Sequence, residues 1–325
     1  MDILFVMDPL EKLDKVWDNS LYLLGELTRR GHTCWTADSG DLHPKKSSLF
    51  GTCRQMTAEG FERPRKKWKF QRAGKKSWDL TRFDLILIRK DPPVDAQYLY
   101  FIELLETISS RVPIANDPRG IRNTNEKLSI LNFPEWIPKT FVSSSPQGIL
   151  EFQKRCRRPI VVKPLDQKGG HGIFLLPLRS SNAVSRLIRA TKRGAQTLMA
   201  QEFIRAKRQG EKRIILLNGK VLTVYEKKSK PHEFRANLGL GARWMPASLS
   251  AREKKLVRAV KPYLIREKLY FVGLDILDER LIEINVTSPA GITEAKVLYP
   301  KQRLVEAWAG FLERLALAGR RRGRS

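Results

Sequence analysis

The stretch Gly273-Leu-Asp-Ile-Leu-Asp-Glu-Arg-Leu-Ile-Glu-Ile-Asn285 decides the fold. Two apolar runs flank a tight polar turn at residues 278–280, which predicts a β-hairpin. Side chains two apart on a strand share a face, so Glu283 and Asn285 point the same way, and Asp275 on the partner strand can join them. Three oxygen donors on adjacent strands suit Mg²⁺, a hard cation. A hairpin with a solvated polar face is the alternative. Against it, Glu283 and Asn285 sit inside apolar strands, where a lone carboxylate is costly to bury.

Upstream lies Val161-Val-Lys-Pro-Leu-Asp-Gln-Lys-Gly-Gly-His-Gly172. A strand delivers Lys163, a point charge able to reach phosphate oxygens, and Gly169 and Gly170 open a loop whose backbone N–H groups can close over a polyphosphate. No Gly-Lys-Ser/Thr follows, so this is not a Walker motif. Met199-Ala-Gln-Glu-Phe-Ile204 reads as a strand able to present backbone groups to an adenine edge. Gly210-Glu-Lys-Arg213 feeds another, with Arg213 placed to hold a transferring phosphoryl group. In Phe234-Arg-Ala-Asn237, Arg235 and Asn237 are two apart beside a further glycine-bearing loop, so both can face one anion.

The N-terminal part reads as an α/β unit. A buried strand at residues 3–7, an amphipathic helix at 18–30 and a strand at 32–37 suggest an open, Rossmann-like parallel sheet. Residues 43–82 carry 12 Lys/Arg and 3 acids with little periodicity and read as a long, partly mobile excursion. A strand at 83–88, a helix near 95–110 and a helix at 123–131 follow. The expected division is 1–123 as a Rossmann-like substrate domain, 124–198 as a lid, 199–318 as a catalytic domain, and 319–325 as a disordered basic tail.

The balance is strongly basic: 61 Lys and Arg against 34 Asp and Glu, a net charge of +27. Such a field attracts polyanions. The charge is spread widely, however, and no basic helix with interleaved aromatics occurs, so nucleic-acid binding is not expected. No stretch reaches the length of a membrane span, and the N-terminus is too short in apolar residues and too acidic for a signal peptide. Three cysteines without metal-site or disulfide spacing fit a reducing cytoplasm.

In this order, Lys127, Lys163, Arg213, the Arg235/Asn237 pair and the Asp275/Glu283/Asn285 set resemble the ATP-grasp ligases. Val6-Met-Asp-Pro9, Ile88-Arg-Lys-Asp-Pro-Pro93, Phe271-Val-Gly-Leu-Asp-Ile276 and Glu283-Ile-Asn-Val-Thr-Ser-Pro289 are similar to landmarks of bacterial-type glutathione synthetase across nearly the whole chain. The resemblance implies a Rossmann-like domain followed by an ATP-grasp fold, with ATP held between lid and C-terminal domain. It implies that Lys127 and Lys163 contact phosphates, that Gln201, Glu202, Phe203 and Ile204 line the adenine pocket, and that Glu211 reaches the ribose. Asp275, Glu283 and Asn285 would hold Mg²⁺ or Mn²⁺. Arg213 would sit between phosphate and substrate carboxylate, while Asp18, Ser20, Arg89 and Ser288 look like dipeptide-site positions. The implied reaction joins γ-glutamylcysteine to glycine through an acyl phosphate. The implied partners are small molecules, with a homo-oligomer left open.

The match has departures. Ala290 stands where the family usually has Thr, Thr293 where it has Arg or Gln, and Ala236 where it has Gly. Glu233-Phe-Arg-Ala-Asn-Leu238 is also similar to ligases that add glutamate to a protein tail. The alternative is therefore a related ligase with another amine acceptor.

Overall fold

Burial of strand β1 (Asp2–Met7) from Ile3 to Met7 on both faces requires a sheet covered on each side, the setting of parallel strands. A computed structural model of the chain describes residues 1–59, 69–204, 210–229 and 243–322. In it, β1 pairs in parallel with β2 (Thr33–Ala37) and β7 (Leu85–Arg89), and β7 with the short β8 (Ile114–Ala115). Asp18 caps helix α1 (Asn19–Arg29), accepting from the backbone N–H of Ser20 and Leu21 at 2.7 and 3.1 Å. Helices α2 (Ala96–Glu106) and α3 (Pro118–Asn123) complete the domain.

Residues 60–68 lie outside the described residues, and the described part of the basic excursion is not a loose segment. It folds into β3 (Leu42–Lys45), β4 (Ser48–Glu59), β5 (Lys69–Arg72) and β6 (Lys76–Asp79), which extend the sheet in the order β3-β4-β2-β1-β7-β8, with β5 and β6 also on β4. Leu49, Cys53, Met56 and Ala58 of β4 are buried. Their alternation changes phase between Cys53, opposite Lys76 of β6, and Met56, opposite Arg72 of β5. No single period therefore runs through the strand.

The helix expected at residues 123–131 is also absent. Helix α3 stops at Asn123, and a 3₁₀ turn begins at Leu128. Between them the Asn125 side chain accepts from Lys127 N and Leu128 N, each at 3.0 Å, offering the backbone an alternative to helix.

The middle sheet is antiparallel: β9 (Thr140–Ser143), β10 (Ile160–Pro164), β11 (Phe174–Leu176) and β12 (Leu198–Glu202), in the order β11-β10-β12-β9. Helices α4 (Pro146–Cys156) and α5 (Ala183–Ala190) pack on it around Ile149, Phe152, Ile160 and Leu187. Because β12 pairs with β9 and β10, this sheet runs through residue 202, past the expected lid boundary at 198.

The third sheet, also antiparallel, runs β15-β14-β13-β16-β17, from β13 (Glu211–Leu217), β14 (Lys220–Lys228), β15 (Arg243–Pro246), β16 (Phe271–Leu277) and β17 (Arg280–Asn285). Helix α6 (Ala251–Arg266) begins with a Ser250/Glu253 capping box, and α7 (Ile292–Leu298) and α8 (Leu304–Arg322) follow. Residues 319–322 of the expected disordered tail belong to α8, where Arg320 donates to Asp84 at 2.7 Å. No helix among the described residues is long and apolar enough to cross a membrane.

Buried Asn116 joins the first sheet to the third. Its amide N–H group donates to Phe271 O and Val286 O at 2.9 and 2.8 Å, and its oxygen accepts from Tyr270 N and Phe271 N, both at 2.8 Å. Asn116→Ala leaves these backbone groups without partners and should cost about 2–4 kcal/mol. Urea unfolding of the variant checks this, and a loss under about 0.5 kcal/mol would show that the joint is not structural.

Candidate active site

The β16–β17 hairpin sets Asp275 opposite Glu283 and Gly273 opposite Asn285. All three polar side chains line a cavity of about 560 Å³ between the middle and third sheets. The nine expected nucleotide positions line it too, as do Arg213 and Ser288.

Asp275 is the hub. Arg213, opposite it on β13, donates Nε and Nη2 to its two oxygens at 2.8 and 2.9 Å. Lys227 donates to Oδ1 at 3.0 Å and Asn285 to Oδ2 at 3.1 Å. Burial opposes ionisation, but Arg213 and Lys227 override it and hold the carboxyl well below the usual range. Arg213 also donates to Ala290 O at 2.9 Å, which ties the hub to the segment leading into α7. Glu211 pairs with Lys227, yet burial still pushes its carboxyl up to about 7.

A second pair of cations faces this hub. Lys127 donates to Glu283 Oε1 at 3.0 Å and to Gln167 O at 2.7 Å, joining the third sheet to the glycine loop. Lys163 donates to Gln201 Oε1 at 2.9 Å across β10 and β12. Its burial pushes the ammonium down to about 8, with Glu283 and Glu211 pulling the other way. Gly169 and Gly170 both take positive φ, as does Gly172, where a Cβ would fall 2.7 Å from Pro164 Cγ. The loop is tied to the first domain by a Lys168–Asp91 ion pair and by Val94 N donating to Asp166 O at 3.2 Å.

Hard oxygen donors beside three buried lysines and the half-buried Arg213 fit both Mg²⁺ and a polyphosphate. Asp275 and Glu283 are carboxylates, Asn285 adds an amide oxygen, and Lys127, Lys163, Arg213 and Lys227 supply positive charge. The adenine expectation narrows. The backbone N–H groups of Glu202 and Phe203 already donate to Lys139 O and Pro159 O at 2.8 and 2.9 Å.

The expected dipeptide positions split. Arg89 is buried and donates Nε to Ser20 Oγ at 2.9 Å and Nη2 to Pro289 O at 3.4 Å, while Asp18 caps α1 beside it. Of the four, only Ser288 lines this cavity, one residue from Arg89's carbonyl partner. Arg235 and Asn237 lie outside the described residues.

Sequence reasoning missed Glu126, Tyr225, Lys227 and Glu294, which also line the cavity. Glu126 Oε1 accepts from Val286 N, Thr287 N and Thr287 Oγ1 at 2.8, 3.1 and 2.9 Å, fixing the end of β17. Lys227 ends a run that reads as a polar strand edge. Its place opposite Glu211 comes from the strand register of the fold.

Family models match both halves of the chain: residues 1–122 match the N-terminal domain of prokaryotic glutathione synthetase and residues 126–299 its ATP-grasp domain. The glutathione synthetase of Gloeobacter violaceus is 37% identical over 304 residues, covering 92% of each chain. That of Nitrosomonas europaea is 36% identical over 296 residues, covering 90% of this chain and 92% of its own. Among solved structures, a D-cycloserine synthetase superposes with a TM-score of 0.65 at 15% identity, over 95% of this chain and 99% of its own, a likeness of fold. With both domain models matched in order, the chain belongs to the prokaryotic glutathione synthetase family, ATP-grasp carboxylate–amine ligases that make glutathione with ATP and Mg²⁺.

Proposed function

We propose that this chain ligates γ-glutamylcysteine to glycine in the described cavity, with its residues dividing the work. The observation that carries this reading is the convergence of Lys127, Lys163, Arg213 and Lys227 on the Asp275–Glu283–Asn285 face. A free carboxylate resists amine attack because its carbon is electron-rich and oxide is a poor leaving group. Phosphorylation by ATP gives an acyl phosphate that can expel phosphate. Asp275, Glu283 and Asn285 would hold Mg²⁺, which would supply charge neutralisation for the transferring phosphoryl group. Lys127 and Lys163 bind phosphate oxygens in place of Glu283 and Gln201. Arg213, kept in place by Asp275 and Ala290 O, bridges the phosphoryl group and the substrate carboxylate. The glycine loop and the middle sheet cover the cavity and limit hydrolysis of the acyl phosphate. The lid spans residues 124–202, with the Rossmann-like domain before it and the catalytic domain after it. The setting is the cytoplasm.

Another amine acceptor is favoured by one observation. Thr293, where the family usually carries a longer polar residue, is buried and hydrogen-bonds Asn19 Oδ1 and Trp17 O at 3.0 and 3.1 Å, so its side chain is engaged with the first domain.

ADP release with γ-glutamylcysteine plus glycine, compared with a panel of other amines and acids, separates these readings. A preference for glycine is expected, and turnover only with another acceptor would overturn that choice. Glu283→Gln should lower kcat about 100-fold or more, with the melting temperature within about 3 °C. Full turnover in that variant would refute the metal assignment. MgATP affinity should fall as pH rises through about 8, where Lys163 loses its proton before nucleotide binds. Bound phosphate favours the charged form, so nucleotide should in turn raise this pKa. Lys163→Arg should remove the alkaline loss. Titration calorimetry across pH 7 to 9 reads both, and a pH-independent affinity in the unaltered protein would count against Lys163 as a phosphate ligand.

A further inference from the structure

Glu294 sits in the first turn of α7, three residues after Gly291. Its side chain is 3% exposed, yet it lines the cavity. Among the described residues, its Oε2 atom is buried with no hydrogen-bond partner. The other buried and half-buried acids there are engaged. Asp275 has Arg213, Lys227 and Asn285, Glu211 has Lys227, and Glu126 has three donors from residues 286 and 287. Half-buried Glu283 has Lys127.

Backbone geometry brings Glu294 to the corner of the cavity beside Arg213 and Tyr225. Gly291 has φ +140°, and a Cβ there would lie 2.7 Å from Ile215 Cδ1 and 3.2 Å from the Tyr225 hydroxyl. Glycine thus lets α7 start tight against β13 and β14, next to Ala290, whose carbonyl Arg213 holds. Arg213, Tyr225, Lys227, Glu211 and Asp275 are the charged or titratable groups facing this corner.

A buried carboxylate with an open oxygen is costly unless a ligand completes it. Burial pushes the Glu294 carboxyl up, while its own backbone N–H, Arg213 and Lys227 pull it down. Its natural complement is an N–H donor, preferably cationic. In the proposed ligation such a donor must enter: an amino acid arrives at neutral pH as an ammonium, whose lone pair is occupied and which cannot attack. The amine must lose a proton beside the acyl phosphate, and no described residue has yet been given that task.

Resting on the ligase reading above, we propose that Glu294 binds the ammonium group of the acceptor amino acid and takes its proton as the amide bond forms. The proton passes from the acceptor nitrogen to Oε2. The freed lone pair forms the C–N bond, and the C–O bond to phosphate breaks with its electron pair leaving on phosphate. The second nitrogen proton goes to the departing phosphate, and Glu294 releases its own to solvent with the products. Oε2 is the group that reads the acceptor as an amine.

The test compares glycine with hydroxylamine, a nucleophile largely unprotonated at neutral pH that needs no base. Both are given to the unaltered enzyme and to Glu294→Gln with donor acid and MgATP. Glu294→Gln keeps the shape and loses the base. It should lower kcat/KM for glycine about 100-fold while leaving hydroxamate formation within about 3-fold and KM for ATP within about 2-fold. Equal losses with both nucleophiles, or no loss with either, would overturn the assignment. Should Glu294→Gln fail to fold by thermal melting, Glu294→Asp replaces it. That variant should lose activity with glycine but keep hydroxamate formation, and parallel losses again overturn it. If the unaltered enzyme forms neither amide nor hydroxamate, the ligase reading fails first and takes this inference with it.

Discussion

The two-pronged ion pair between Arg213 and Asp275, braced by Lys227, is the interaction on which the site depends. Taking charges out of water is expensive, and the attraction between them compensates only when geometry and hydrogen bonds are good. Here β13, β14 and β16 are neighbours in one antiparallel sheet, so cross-strand register alone places Arg213 opposite Asp275 and Lys227 opposite Glu211. The sheet thereby holds a charged cluster that no flexible loop could keep aligned. Removing one member would strand a buried charge at a cost of about 3–5 kcal/mol.

That cluster has a second consequence. In the protein without nucleotide, the carboxylates are neutralised by the same cations that a polyphosphate would engage. Lys127 rests on Glu283, and Arg213 and Lys227 rest on Asp275. On the proposed reading, a metal–nucleotide complex would exchange partners instead of creating charge, with the carboxylates turning to the metal and the cations to the phosphates. Lys163 is the exception. Its hydrogen-bond partner is the neutral amide of Gln201, and burial holds its pKa down although Glu283 and Glu211 pull it up.

The three sheets share apolar packing, and specific polar side chains fix how they meet. Asn116 links the first to the third, Lys127 links the third to the glycine loop, and Lys168 with Asp91 links that loop back to the first. The Lys127 and Lys168–Asp91 joints line the cavity, so placing the glycine loop and assembling that side of the site are one event. Arg89 belongs to the same logic. Buried between Ser20 and Pro289 O, it connects the capped start of α1 to the segment carrying Ser288 and Ala290.

Local pattern was enough to place the hairpin, its three oxygen donors, Lys163 and its glycine loop, because strand alternation and left-handed glycine conformations are properties of neighbouring residues. Contiguous apolar runs likewise announced β1 and β7. Residues 43–79 hid their strands because β4 changes partners and phase part-way and carries its charge outward. Asn125 broke an expected helix through a side-chain contact that propensity does not weigh. Lys227, Glu126 and Glu294 became visible only once distant strands and α7 were brought together. A charged residue on a strand looks solvated until the fold shows what covers it, and that covering is a long-range contact which no local period encodes.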